Sequence, residues 1–513
     1  MEQTDFIVVG SGSAGSVLAR RLSDANVGSV LLLEAGEGHV DNNAIHNPAE
    51  WATLWNTEVD WGYRTTPQVH TGGRVHDWPR GRVLGGTSCL NAMQYIRGHR
   101  SDFDGWAAAG NPGWDYASVL PYFIELEDYE GGASELHGVG GPLHVSLLRD
   151  KDPSPVSTAF VDACVEVGYP ANDDINGTSL EGAGWNPTSI RDRVRQDTWT
   201  CFIQPITDRS NLTVRTGAQV ARVLVEGDRV TGVELIGGEQ MFAAREVILS
   251  AGAIDSPRLL LQSGIGPAQE LRALGIDVVL DLPGVGQNLH DHLLLGVVYE
   301  ASQPLPAGLN NLSESVLFTH SSQRGATPDI QIALVHVPFH SSEFSAPANS
   351  YTIAPGILRP VSRGSVRLLD SVPGGALAID PNYLAEDADV VGLLEGIAMS
   401  REIGQAPAFA PWRSREVLPG PDVTDEASLR DFVARAASTY YHPAGTCKMG
   451  TDSASVVDAD LRVHGLSGLR VADASIMPTI VSANPNASTT MIGAKAADLL
   501  TGAQQQTTAL TSV

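Results

Sequence analysis

Three glycines and an acid carry the first recognisable chemistry in this chain. Gly10, Gly12 and Gly15 stand in the spacing G-x-G-x-x-G after the apolar run Asp5 to Val9, and Glu34 closes a second apolar run, Ser29 to Leu33. Gly10 allows the tight turn out of a strand, Gly12 lets the backbone come close to a pyrophosphate, and Gly15 lets the following helix pack against the strand. The helix then offers unpaired N–H groups and the positive end of its dipole to phosphate. An acid about twenty residues on accepts hydrogen bonds from a ribose. An isolated glycine motif is also compatible with an ordinary tight turn. Here it follows a strand, precedes a helix and has its acid in place, so dinucleotide binding is the reading; the motif does not separate FAD from NAD.

Such a ligand needs a sheet edge to lie against. Residues 211–236 read as short strands joined by turns, Glu246 to Gly252 as another apolar strand, and Gly468 to Ala474 as one with the same small-residue ending. In an open α/β sheet the ligand lies at the carboxyl ends of the strands. These pieces are far apart, so the nucleotide domain is expected to be discontinuous, built from 1–154, 201–294 and 441–513. Residues 155–200 and 295–440 are expected to form a second, substrate-binding domain. Within it Gly364 to Leu368 reads as a strand, and 390–404 and 426–437 show helical spacing of apolar positions. A helix is expected from Ala487 to about Leu500, and the polar tail Ala503 to Thr508 is expected to fray.

Composition narrows the partners. Among 513 residues, 33 Lys and Arg face 59 Asp and Glu, a formal net charge of −26. Nucleic acid and anionic lipid are repelled by such a chain, so neither is expected as a partner. No run of 18 apolar residues suggests a membrane span. The first strand starts within a few residues of Met1, leaving no room for a signal peptide, and a cytoplasmic location is expected. Cys89, Cys164, Cys201 and Cys447 lack C-x-x-C spacing, which favours free thiols over disulfides or a zinc site. His290 and His292 form an H-x-H without further ligand spacing, so no metal is expected. No G-x-S-x-G elbow suggests a hydrolase.

A second glycine-rich element, Gly81 to Met93, pairs Gly85 with Gly86 and offers Thr87, Ser88 and Asn91 as hydrogen-bond donors. With this segment the sequence resembles the glucose–methanol–choline oxidoreductases, whose first signature it matches throughout. The second signature is present as Gly252 to Gly266. Pro283 to Leu289 and the C-terminal block extend the resemblance over essentially the whole chain. It implies FAD rather than a nicotinamide. It also implies an α/β fold, with a Rossmann-like FAD-binding domain interleaved with an α+β substrate part on an antiparallel sheet with helices.

By that resemblance Gly10, Ser11, Gly12, Ser13, Ala14, Gly15, Glu34 and Ala35 hold the ADP half. Trp61 and the loop with Arg82, Gly85, Gly86, Asn91, Ala92 and Met93 line the flavin, and Val220 meets the adenine. Asp473 and Ala474 face the ribityl–pyrophosphate region; Ala251, Pro485 and Asn486 complete the set. Leu90 occupies the position of the flavin-tethering histidine, which implies a non-covalent FAD, and His99 is expected at the surface. Alone, His442 before Pro443 reads as structural; the resemblance makes His442 and Asn484 a catalytic pair. A neutral imidazole can take the hydroxyl proton. Asn484 can donate to the same oxygen while hydride passes to flavin N5, and the helix after Asn486 would aim its positive end at the flavin.

Choline-specific members carry a glutamate where this chain has Leu294, so a neutral primary alcohol (aryl, furanic or aliphatic) is expected, with O₂ or another electron acceptor as second partner. Trp55, Phe339 and His340 are candidates for the pocket, with core packing as the alternative. A secondary hydroxyl of a sugar or glycoside is the alternative substrate. A flavin-bearing hydroxynitrile lyase, or a flavoprotein that only binds, is the alternative of another class. Oligomeric state is left open.

Overall fold

Two sheets organise the residues described by the computed structural model, 3–39, 41–322 and 327–502. The tail from Ala503 to Thr508 lies outside them. In the first sheet Leu212–Arg215, Val30–Leu33, Gln3–Val9 and Gln240–Leu249 run parallel in that order, and Leu469–Val471 joins in parallel beside Gln240–Leu249. Arg229–Leu235 and Val220–Glu226 add an antiparallel meander. Phe6, Ile7, Val8 and Val9 are all buried, the continuous apolar run of a strand covered on both faces. The fold is α/β.

The second sheet is antiparallel, in the order Arg413–Leu418, Val297–Ala301, Ser350–Ile357, Ile330–Val335, Ser315–Thr319 and Gly182–Trp185. Ser350–Ile357 is buried at every position, and the helices Pro155–Glu166 and Asp387–Gln405 pack on this sheet. Leu293–Leu294, expected at the end of a cofactor segment, pairs with Ser350–Ile357 and Ser438–Thr439 in this second sheet. Among the described residues no helix is long and apolar enough to cross a membrane.

The helical stretches expected at 390–404 and 426–437 form as Asp387–Gln405 and Glu426–Ala436, and the C-terminal helix spans Asn486–Thr501. Ser365–Leu368 forms as the strand expected there and pairs with Leu377–Asp380 as a hairpin. Two expectations change. The strands read as ending at Gly252 and Ala474 stop at Leu249 and Val471, because the small residues beyond turn directly into helix. His99 is half-buried rather than at the surface: its ring accepts from the Ser101 N–H, capping the helix Arg100–Ala108.

The helices Ser13–Ala25 and Asn486–Thr501 meet backbone to backbone. A Cβ at Gly493 would lie 2.3 Å from the Ala14 carbonyl oxygen. Gly493→Ala should therefore cost about 1–3 kcal/mol, read as a lower thermal unfolding midpoint. An unchanged midpoint would remove this contact from the list of what holds the two helices together.

Candidate active site

The turn out of Gln3–Val9 is possible only with glycine. Gly10 has φ +99°, and a Cβ there would lie 2.5 Å from the Ser250 carbonyl; a Cβ at Gly15 would lie 1.9 Å from that of Gly10. Gly86 comes equally close to Gly12, where its Cβ would meet the Cα at 2.8 Å. The two glycine elements so form one cradle at the strand ends. An elongated cavity of about 280 Å³ begins there and runs to His442 and Asn484. Three helices start on its wall, at Ser13, Gly252 and Asn486, and none has a side-chain N-cap. Apart from the Gly252 N–H, which donates to Asp473, their leading N–H groups and dipole ends suit a ligand with anionic groups. This cradle fits an extended dinucleotide.

Of the residues expected to hold the cofactor, Gly10, Gly12, Ser13, Ala14, Glu34, Ala35, Trp61, Gly86, Asn91, Ala92, Met93, Val220, Ala251, Asp473, Ala474, Pro485 and Asn486 line the cavity. Four stand behind it. Ser11 donates its N–H and hydroxyl to Glu34 Oε2 at 3.0 and 2.7 Å. Gly15 is the close contact under Gly10, and Gly85, at φ +94°, turns against Cys89 and Asp197. The Arg82 guanidinium lies 5.1 Å over the Trp61 ring. Glu34 is itself partly spoken for, since Oε1 accepts from the Gly36 N–H at 2.9 Å. Asp473 accepts from Gly252 N–H and Ser256 Oγ, tying the strand Leu469–Val471 to the helix Gly252–Gln262.

At the far end, the arrangement of polar atoms settles where the protons sit. His292 Nε2 is 3.0 Å from the Leu358 carbonyl, which can only accept, so a neutral His292 carries its proton there. Its bare Nδ1 faces His442 Nδ1 at 3.0 Å, which must then be the donor. His442 Nε2 is left with its lone pair, 3.2 Å from Asn484 Nδ2. Gln331 Nε2 donates to Asn484 Oδ1 at 3.2 Å, which turns the amide so that its NH₂ faces the imidazole. Both histidines are neutral: burial pushes His292 down to about 3, against the Leu358 and Val481 carbonyls, and burial with His292 and Arg80 alongside holds His442 well below its usual range.

The backbone under His442 is pinned by Asp291. Its Oδ1 accepts from the His442 N–H and its Oδ2 from the hydroxyls of Tyr383 and Thr439. Tyr441, at φ +65°, sits inside the pinned turn, and Arg80 donates to its carbonyl at 2.6 Å. The Tyr440 ring stacks on His442 at 4.8 Å. His290 is engaged on both nitrogens, with the Asn288 carbonyl and the Ile480 N–H, so the H-x-H pair does not converge on a metal.

Comparison with known proteins decides the family. A family model described as GMC oxidoreductase matches residues 4–294, and a second of the same description matches 360–493. The chain belongs to the GMC oxidoreductases. It is 41% identical to the mitochondrial choline dehydrogenase of Mus musculus, over 98% of this chain and 90% of that protein. It is 38% identical to the pyridoxine 4-oxidase of Microbacterium luteolum, over 94% and 96%. The crystal structure of pyridoxine 4-oxidase from Mesorbium loti superposes with a TM-score of 0.93 at 40% identity, covering 97% of this chain and 99% of that one. This GMC oxidoreductase is an FAD-dependent enzyme that oxidises CH–OH groups of small alcohols.

The wall around His442 in this GMC oxidoreductase is apolar and aromatic. Trp51, Trp55, Leu294, Val335, Phe339, Tyr440 and Tyr441 line it, with Gln94, Ser313 and the cationic Arg80 as polar members. His340 does not belong to that wall; its Nδ1 faces the Ser341 carbonyl. Sequence reasoning missed Asp291, His292 and Gln331 as partners of the pair. The Asp-His of Asn288 to His292 was a visible signal; Gln331, in a plain apolar strand, offered none.

Burial raises Asp291 to about 6. For an acid raised on folding, the cost of burying its charge is absent below about pH 4 and complete above about pH 6. The ionised form is the one that accepts from three donors. Alcohol-driven flavin reduction should therefore fall below about pH 6 with FAD retained, and Asp291→Asn should be slow at every pH without that limb. A limb unchanged in the variant would belong to another group.

Proposed function

We propose that this enzyme oxidises a neutral, flat aromatic primary alcohol, with His442 as the base and Asn484 as the hydrogen-bond donor to the alcohol oxygen. The observation that carries this is the lone pair of His442 Nε2, set beside the Asn484 amide on the cavity wall. FAD, when bound, supplies the acceptor for the hydride of the carbinol carbon. His442 takes the hydroxyl proton at Nε2 and keeps its own Nδ1 proton on His292. Asn484 holds the oxygen and meets its growing negative charge. The free N–H groups at the start of Asn486–Thr501 favour negative charge at the same end of the cavity. Leu90, an apolar side chain at the tethering position, supports a non-covalent FAD. Residues 1–154, 201–294 and 441–513 form the cofactor-binding part in this reading, and 155–200 with 295–440 the substrate-binding part.

The aromatic wall supports the substrate class. Trp55 lies 5.3 Å from Trp51 and 4.8 Å from Tyr441, ring to ring. Leu294, on the same wall, brings no charge to a quaternary ammonium, which sets the pocket apart from choline despite the choline dehydrogenase relative. The name of the pyridoxine 4-oxidase relatives supports a hydroxymethyl group on an aromatic ring. Neither the sugar nor the lyase alternative gains support.

His442→Ala should slow anaerobic flavin reduction by an aromatic alcohol by roughly 10²-fold or more, and near-normal reduction would remove His442 from the role. In a panel of pyridine, benzylic and furanic methanols beside choline and glycosides, the aromatic methanols should bleach the flavin fastest. Preference for choline would overturn the substrate class. Admitting air to the reduced protein then separates oxidase from dehydrogenase.

A further inference from the structure

Three buried side chains outside the alcohol site converge. His39 lies beyond the strand Val30–Leu33, Cys89 closes the turn of the second glycine element, and Asp197 accepts from the N–H and hydroxyl of Thr200. One donor atom from each lies within 4.8 Å of the others. The His39 and Asp197 side chains are 1% and 0% exposed, and Cys89 is fully buried. Among the described residues neither ring nitrogen of His39 has a hydrogen-bond partner within normal reach, and Nε2 stands 3.5 Å from Asp197 Oδ1. Gly85 faces the same space. A Cβ there would lie 2.7 Å from Cys89 Sγ and 2.9 Å from Asp197 Oδ1, so glycine keeps the cluster open.

Imidazole nitrogen, thiolate sulfur and carboxylate oxygen form a donor set suited to zinc. We propose that His39, Cys89 and Asp197 bind one zinc ion that staples the loops behind the cofactor cradle. The Cys89 thiol now donates to the Leu84 carbonyl at 3.2 Å. On binding, its S–H bond breaks, the proton leaves to solvent and a Zn–S bond forms. His39 coordinates as neutral imidazole, Asp197 as carboxylate, and the fourth position falls to water or the Leu84 carbonyl. Thiolate and carboxylate together balance the dication. Burial, with the Asp197 charge beside it, holds the thiol well above its usual range; an ion there reverses that logic. The staple has a mechanical setting: the Leu84 N–H already donates to the Glu37 carbonyl at 3.0 Å, so an ion would lock two neighbouring loops to a third. One leads from Glu34 and another carries Gly86, both on the cavity wall.

The test uses tag-free, FAD-loaded protein, treated with chelator, supplied with zinc chloride and desalted. Elemental analysis should find one zinc per chain, with a proton released on uptake, and Cys89→Ser or His39→Gln should reduce bound zinc to near zero. Cobalt(II) in place of zinc should give the weak long-wavelength absorption of a tetrahedral thiolate site, clear of the flavin bands. His39→Gln leaves the glycine element intact and serves where Cys89→Ser fails to fold. Wild-type protein that takes up neither metal in stoichiometric amount, or His39→Gln that binds as wild type, overturns the proposal. His39 and Asp197 are then a buried polar contact without a metal. Metal content is read without alcohol turnover, so it stands apart from the fate of the alcohol reading.

Discussion

The proton map of the reacting end hangs on one backbone oxygen. Because the Leu358 carbonyl can only accept, it dictates the tautomer of His292, and that in turn dictates the tautomer of His442. A histidine free to exchange its two nitrogens would present an N–H to the cavity part of the time, which would defeat the base role proposed for His442. Burial completes the arrangement by making the charged form of either ring expensive. The sequence of donors continues through Asn484 to Gln331, so a strand of the antiparallel sheet orients an amide that precedes a helix of the other layer. The site is thus assembled across the seam between two sheets, and neither sheet contains it alone.

The same seam explains why so much of the turn at Thr439 to His442 is held from below. A non-glycine residue at φ +65° is strained, and the chain accepts that strain where Asp291 takes hydrogen bonds from both sides of it. A buried carboxylate with three donors is costly to form but hard to rearrange. It is a positioning device more than a source of stability.

The cofactor end was legible in the sequence because its physics is local. A strand, a glycine turn and a helix start lie within a few residues of one another, and the family signatures run in unbroken segments, so most of the expected residues do line the cavity. The helices at Asp387–Gln405 and Asn486–Thr501 were legible for the same reason, through apolar spacing. What was not legible depends on contacts between distant segments. Gln331 meets Asn484 across 153 positions, and His39, Cys89 and Asp197 show no ligand spacing at all. Ser11, Gly15, Arg82 and Gly85 stand behind the cavity wall, and motif membership does not say which side of a turn faces the cavity. His99 looked like a surface residue since nothing in the one-dimensional pattern marks a histidine as a helix cap.

The strand Leu469–Val471 pairs beside Gln240–Leu249 although roughly two hundred residues separate them. During synthesis the Val247–Leu249 end of that strand, beyond its pairing with Arg229–Leu235, must therefore wait for Leu469–Val471 to leave the ribosome. An exposed edge of that kind invites pairing with a neighbouring nascent chain. Asp473, Ala474 and Asn484 to Asn486 line the cavity and follow Leu469–Val471, so the prosthetic group meets its full site only after that strand has been made.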